Sequence, residues 1–380
     1  MRNNITSPVT GSDFYGRERE LKEAMRLLDS NQSILLSAPR RIGKSSLAMK
    51  IKRLLDERGV RNVYIDLEGV ETQEDFLKKL LEHFDRSALW KAKGTESLRK
   101  LISGVKGIGP VKLDFKDERS VSDLYYQIAE AIDHDKETVV IIDELTLFLT
   151  FREKEGGNLN GVSFLLNWLR SLRQVADTKI RWLFSGSIGL HHFTGIRNLS
   201  YAINDIAPVQ LGPLRDEEVR GLLDALVESL GLRMAEPVKD YLLSKLGWPV
   251  PYLLQLMVNR IVSFAENEEV TETTVDTAFD ALAASNILKI WRERLVEYNG
   301  FEKIAEFVLR ELSKTAEGKT KDELYGLYRE REGLPDSLDN EFKFSEALNL
   351  LEDDGYLCRE GDRRKFCSPL IRSWWRYHFA

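Results

Sequence analysis

Gly43-Lys44-Ser45 is the feature that most constrains this chain. It closes the turn Ala38-Pro39-Arg40-Arg41-Ile42-Gly43, which follows a short apolar run, Ser33-Ile34-Leu35-Leu36-Ser37. It also opens a segment reaching about Arg58 in which Leu47, Ile51, Leu54 and Leu55 share one helical face. A strand that turns directly into a helix presents unpaired backbone N–H groups at the helix N-terminus, where the dipole favours an anion. A lysine there can reach the outer phosphates of a nucleotide, and the next hydroxyl, Ser45, can ligate Mg²⁺; Ser46 follows in the same turn. The pattern departs from the usual one at Ala38, where glycine ordinarily stands first. Alanine resists φ > 0, so the turn is expected to be built differently or under mild strain. The bland alternative is a chance Gly-Lys-Ser in a basic turn.

The surrounding sequence alternates. Residues 62–67 and 180–185 read as buried strands and 206–211 as a shorter one, while Phe76, Leu77, Leu80, Leu81 and Phe84 mark an amphipathic helix. Val139-Val140-Ile141-Ile142-Asp143 is a further strand ending in a carboxylate, with Glu144 just beyond. Strands alternating with helices predict an α/β fold, a five-stranded and mostly parallel sheet covered by helices on both faces. In such a sheet ligands bind at the carboxyl ends of the strands. Asp143 is then placed to hold Mg²⁺ through water, and Glu144 to orient and deprotonate an attacking water. An ordinary solvated strand end is the competing reading.

Residues of about 91–118 interrupt the alternation with Gly94, Gly104, Gly107 and Gly109, and an inserted loop or hairpin is expected there. After Pro213 the strand signal vanishes, and apolar spacing is helical to about Leu288, as in Val219, Leu222, Leu223, Leu226 and Val227. From Phe301 three helical patterns precede two strands around Gly361, the order of a winged helix. The expected domains are 1–213, 214–299 and 300–380.

Composition bounds the rest. With 380 residues, 43% apolar and 31% charged, the chain has material for a large core, which excludes a disordered or disulfide-stapled chain. A net charge of −6 argues against wholesale coating of nucleic acid. No run approaches the roughly 18 apolar residues a membrane helix needs, and the polar N-terminus lacks a signal-peptide core, so a cytoplasmic protein without a membrane partner is expected. Cys358 and Cys367 read as free thiols rather than a hairpin disulfide, and the scattered histidines offer no zinc site.

Tyr15-Gly16-Arg17-Glu18, the loop at 38–45, the strand at 139–144, Ser185-Gly186-Ser187 and Gly247-Trp248-Pro249 follow one another as in archaeal-type ATPases of the STAND branch of AAA+ proteins, which this chain resembles over roughly residues 13–290. It is also similar to origin-recognition initiator ATPases. The resemblance implies an ASCE/AAA+ sheet, a helical lid, and ATP or ADP with Mg²⁺ as cofactors. It implies hydrolysis that is slow or partner-stimulated. It further implies that residues 38–46 cradle the phosphates and that Tyr15, Gly16 and Arg17 border the adenine. Ser185 becomes a polar sensor, with Ser187 the competing choice, and Pro249 abuts the base or sugar unless it simply starts a helix. Arg197 takes the place of an arginine finger given to a neighbour, or is a solvated arginine. Arg40 and Arg41 are spare cations facing phosphate or a partner.

A winged helix suggests DNA, yet residues 337–354 carry six acids, Asp339, Glu341, Glu346, Glu352, Asp353 and Asp354, against Lys343. A helix so charged is repelled by phosphate in the usual major-groove mode. The turn with Arg359, Arg363, Arg364 and Lys365 leaves a wing-only contact open. Protein docking or self-association is favoured, and the aromatic tail from Pro369 is expected to fold back onto a core. The resulting expectation is an ATP-hydrolysing molecular switch whose lid and winged helix read the nucleotide. The alternatives are a DNA-binding initiator or mobile-element ATPase, or a non-hydrolysing nucleotide-bound scaffold.

Overall fold

A computed structural model of the protein describes residues 2–5, 7–91, 118–186, 189–298 and 300–379. The chain divides into two compact units, one of Glu18–Ser37 and Lys44–Leu211, the other of Met1–Arg17, Ala38–Gly43 and Gly212–Ala380.

The first unit runs α1 (Glu18–Asp29), β1 (Ile34–Ser37), α2 (Lys44–Glu57), β2 (Arg61–Asp66), α3 (Gln73–Arg86), α4 (Glu118–Ala131), β3 (Thr138–Asp143), α5 (Leu145–Gly156), α6 (Asn160–Arg173), β4 (Ile180–Ser185), α7 (Leu190–Gly195) and β5 (Ala207–Gln210). The five strands form one sheet in the order β2-β3-β4-β1-β5, and every neighbouring pair is parallel. Parallel strands need crossovers, and helices supply them here, so β3 and β4 are buried along their whole length. That is why both read in sequence as unbroken apolar runs. Phe76 stacks on Phe148 at 4.8 Å, and Trp182 on Phe184 at 5.9 Å, within the core. Register sets Leu36 opposite Ser185, and Asp66 opposite Asp143. The carboxyl edge of the sheet therefore carries, strand by strand, Ser37, Ser185, Asp143 and Asp66. The interruption expected at 91–118 falls on residues of which 92–117 lie outside those described.

In the second unit follow α8 (Asp216–Ser229), β6 (Arg233–Met234), α9 (Glu236–Leu246), α10 (Pro251–Val262), β7 (Glu269–Val270), α11 (Glu272–Ala283), α12 (Lys289–Glu293) and a 3-10 turn, Arg294–Tyr298. The parallel pair β6–β7 was not visible in the sequence, since two residues per strand are too few to show a period. Then come α13 (Glu302–Ser313), β8 (Lys319–Thr320), α14 (Lys321–Glu332), α15 (Leu338–Asp353), β9 (Leu357–Glu360), β10 (Arg363–Phe366) and α16 (Pro369–Phe379). β10 pairs antiparallel with both β8 and β9. The aromatic tail is α16, which packs on α13 and α11. Trp374 and Trp375 are buried, and the Trp374 indole N–H donates to the Ser285 carbonyl at 2.8 Å. Cys358 and Cys367 are free thiols.

Candidate nucleotide site

At the carboxyl end of β3, Asp143 is 2% exposed. Its Oδ2 accepts from the Tyr64 hydroxyl at 2.8 Å, and its Oδ1 accepts from the Ser185 hydroxyl and from the Glu144 amide at 3.1 Å. The donors come from β2 and β4, the strands flanking β3, so the sheet order itself aims them. Burial raises the Tyr64 phenol well above its ordinary pKa, and the Asp143 charge and hydrogen bond, with Asp66 and Glu144 nearby, raise it further. Tyr64 therefore stays protonated and donates. A buried carboxylate needs such donors, because an unpaired one would cost several kcal/mol of desolvation, or about that order.

Glu144 is half-buried and sits at φ 58, the left-handed region, as the residue capping α5. A side chain other than glycine adopts that region at a cost of roughly 1–3 kcal/mol. The strain turns the chain sharply out of the strand, separating Asp143 from Glu144 in direction although they are adjacent in sequence. Lys44, 6% exposed, is the first residue of α2, and Ser45 and Ser46 follow half-buried in its first turn. Among the described residues no cluster of three or more His, Cys, Asp or Glu could hold a metal ion. Mg²⁺ fits this donor set in the way that suits its chemistry, with one hydroxyl, one carboxylate reached through water, and phosphate oxygens completing the shell.

The loop Ala38–Gly43, assigned to the second unit, answers the question posed by Ala38. Its left-handed residues are Arg41 at φ 63 and Gly43 at φ 105, so the turn is built around positions other than the first. The φ of 105 at position 43 lies beyond the left-handed conformation that Arg41 adopts and is strained for any side chain, and glycine meets that need. The loop's middle is held by contacts to its main chain and to its two arginines. The Arg17 guanidinium, 3% exposed, donates to the Ile42 carbonyl at 3.0 Å. Arg40 lies 3.6 Å from the Glu297 carboxylate, and the Arg41 guanidinium lies over the Tyr252 ring at 4.9 Å. Arg41 Nε is buried and, among the described residues, has no hydrogen-bond acceptor, a donor suited to an anion.

The amino-terminal motif is fixed by α8. Glu218 Oε1 accepts from the Arg17 amide at 3.0 Å and from Arg215 Nη2 at 2.6 Å, and Oε2 accepts from the Arg215 amide at 3.0 Å. Tyr15 lies so close to Gly221 that a β-carbon there would overlap its hydroxyl, and Gly16 backs onto Glu218. The Pro249 carbonyl accepts from the Leu214 amide at 2.9 Å, two residues before α10 begins at Pro251. Arg197 is 8% exposed along its side chain, with its Nε and Nη2 on Glu153 at 2.7–3.0 Å and its guanidinium 3.9 Å from the Phe193 ring centre. The structure thus binds Arg197 within its own chain. Ser187 lies outside the described residues.

Sequence reasoning missed Tyr64, Glu153, Glu218 and Glu297. Only Tyr64 left a signal: in the run 62–67 it and Asp66 alternate with Val63, Ile65 and Leu67, one polar face on a strand otherwise read as buried throughout.

A parallel sheet with a strand–Gly-Lys-Ser–helix turn and an acidic strand end defines the class of P-loop ATPases. Residues 26–193 match the family model of the AAA domain. A Walker-type ATPase of Pyrococcus abyssi is similar in structure, with a TM-score of 0.65 and 18% identity, covering 98% of this chain and 99% of that one. The Orc1 protein of Aeropyrum pernix, solved in complex with DNA, has a TM-score of 0.46 and 16% identity over 95% and 92% of the two chains. The RuvB Holliday junction branch migration motor of Thermotoga maritima has 0.47 and 12% over 94% and 95%. At 18% identity the likeness to the Pyrococcus protein is one of fold. No curated protein matches the chain, and among the described residues no helix is long and apolar enough to cross a membrane.

Proposed function

We propose that the chain is a Mg²⁺-dependent ATP-binding and hydrolysing switch of the STAND type. Its domains are 1–213, a helical lid at 214–299 and a winged helix at 300–380. The observation that carries the reading is the buried Asp143 carboxylate at the sheet's carboxyl edge, held by Tyr64, Ser185 and the Glu144 amide. Backbone amides of residues 38–46 and Lys44 bind the phosphates, and Lys44 offsets charge on the outermost one. Ser45, directly, and Asp143, through water, are the residues that would hold Mg²⁺. The metal, when bound, neutralises phosphate charge. Glu144 accepts the proton of the attacking water, which Ser185 helps to place. Tyr15, Gly16 and Arg17 border the base, and Pro249 adjoins it from the lid. Arg197 serves a neighbouring copy only after leaving Glu153.

The partner read by the winged helix is a protein or a second copy, acting in the cytoplasm. This is supported by charge: Arg359 and Arg364 both pair with Glu352, Arg363 with Glu323 and Lys365 with Glu360, so each wing cation already faces a carboxylate. Calorimetry with ATP and Mg²⁺ tests the core of the reading. Wild type is expected to bind, and Lys44→Ala is expected to show no heat. Binding that survives Lys44→Ala unchanged overturns it. A mobility shift that weakens steeply with salt would restore DNA as the partner.

A further inference from the structure

The middle of the phosphate loop is gripped by residues more than two hundred positions away. Glu297 pairs with Arg40, Tyr252 underlies Arg41, and the turn at Gly355 meets Pro39. At Gly355, φ is +74, and a β-carbon there would lie 2.9 Å from Pro39 Cβ and 2.6–2.7 Å from the Trp248 ring. Only glycine allows both the turn and so close an approach.

These gripping residues are themselves tied together. Arg294 and Asp354, 1% and 6% exposed along their side chains, form a two-point pair with Nε–Oδ2 2.6 Å and Nη2–Oδ1 2.5 Å. The Tyr298 hydroxyl donates to the same carboxylate at 3.0 Å. Asp354 immediately precedes Gly355, and Arg294 lies one 3-10 turn before Glu297. The buried pair therefore sets the positions of Glu297 and Gly355 jointly. Such a pair adds little net stability but fixes geometry, and removing one member leaves a buried charge.

We propose that Glu297 is a positioning residue of the nucleotide site that acts through Arg40, with Tyr252 doing the same through Arg41. Nucleotide occupancy of the loop is thereby opposed by the clasp of the segment 294–298. The proposal rests on the reading of this loop as the phosphate site. A triphosphate and the Glu297 carboxylate compete for one guanidinium charge. Each weakens the hold of the other by the same factor, because coupling between two binding equilibria is reciprocal. A nucleotide thus loosens the carboxy-terminal region from the loop, and the carboxy-terminal region sets the loop's affinity.

The test is a double-mutant cycle on the full chain, reading the affinity for ATP with Mg²⁺ by calorimetry. Glu297→Gln is expected to tighten binding about two- to fivefold, the range of one partly buried ion pair whose side chains are 28% and 19% exposed. In an Arg40→Ala background the same change is expected to do nothing. Tightening that persists without Arg40 reduces Glu297 to general field strength and overturns the proposal, as does no tightening with Arg40 present. A second arm uses Tyr252→Leu against Tyr252→Phe. The phenylalanine keeps the ring under Arg41 and is expected to retain wild-type affinity, while leucine shifts it; equal shifts count against the proposal. Melting without nucleotide shows that each variant folds, and Arg40→Ala and Glu297→Gln are expected to be non-additive there; additive shifts oppose the clasp. If wild type binds no ATP, the nucleotide reading itself falls, a result distinct from an additive cycle.

Discussion

The carboxyl edge of the sheet and the phosphate loop solve the same problem, fixing charged groups, by different means. Asp143 is held by Tyr64 and Ser185 from the two flanking strands, so its geometry is complete once the sheet has formed. The loop at 38–43 is held by Arg17, Tyr252, Glu297 and Gly355, none of which belongs to the sheet. On the proposed reading, the groups that do chemistry are built into strands, and the group whose grip changes is held from outside. The comparison predicts a division of phenotype. Changes at the edge alter turnover and leave binding, whereas changes around the loop alter binding.

The largest expected effect tests the edge. Glu144→Gln is expected to keep ATP affinity within about twofold and to cut hydrolysis by roughly 10²–10⁴, the usual worth of a general base. Steady-state phosphate release alongside calorimetry checks it, and equal loss of both quantities would merge the two regions. Tyr64→Phe removes one donor from Asp143. A lost hydrogen bond of about 1 kcal/mol corresponds to roughly a fivefold slower turnover, with affinity again unchanged. If Tyr64→Phe instead weakens binding and leaves turnover alone, the preformed edge is the wrong description. Arg197 offers a sharper cut. Glu153→Gln frees its guanidinium, and if Arg197 serves a neighbour, ATPase activity is expected to rise several-fold with protein concentration; a concentration-independent rate confines Arg197 to its own chain.

What was legible in the sequence follows the same line. The strands, the helix after Gly43 and the acidic end of β3 could be read because each is local: apolar runs of four to six residues, a helical period, a motif of fixed spacing. Asp143 and Ser185 stood out as strand ends. Their mutual hydrogen bond did not, because it depends on β4 lying between β3 and β1, which no local pattern states. Glu218 and Glu297 were illegible for a stronger reason. Each is one carboxylate among many in an acidic chain, and only the fold brings it to Arg17 or Arg40. The left-handed conformation of Arg41 and Glu144 was likewise hidden, since neither residue type advertises it.

Glu218 gives the smallest but most specific prediction, because it separates anchoring of the amino-terminal motif from either chemical region. Burial would raise its pKa, but the Arg215 guanidinium and the backbone amides of Arg215 and Arg17 outweigh burial and lower it from the usual value near 4.5 to about 2. A carboxyl depressed on folding stabilises the native state above its unfolded pKa, and that contribution fades as pH falls from about 4.5 through about 2. Because the Arg215 partner is 40% exposed and screened by solvent, the contribution at neutral pH is on the order of 1 kcal/mol or less. Glu218→Gln is therefore expected to melt lower than wild type at pH 7, with the gap closing progressively between pH 5 and pH 2. Because Glu218 accepts from the Arg17 and Arg215 amides and has no part in the proposed chemistry, turnover per bound nucleotide should stay near wild type in the same variant. A melting gap independent of pH would show that the side chain acts by packing alone. A loss of turnover at saturating ATP would place Arg17 in the chemistry rather than in the support of the loop.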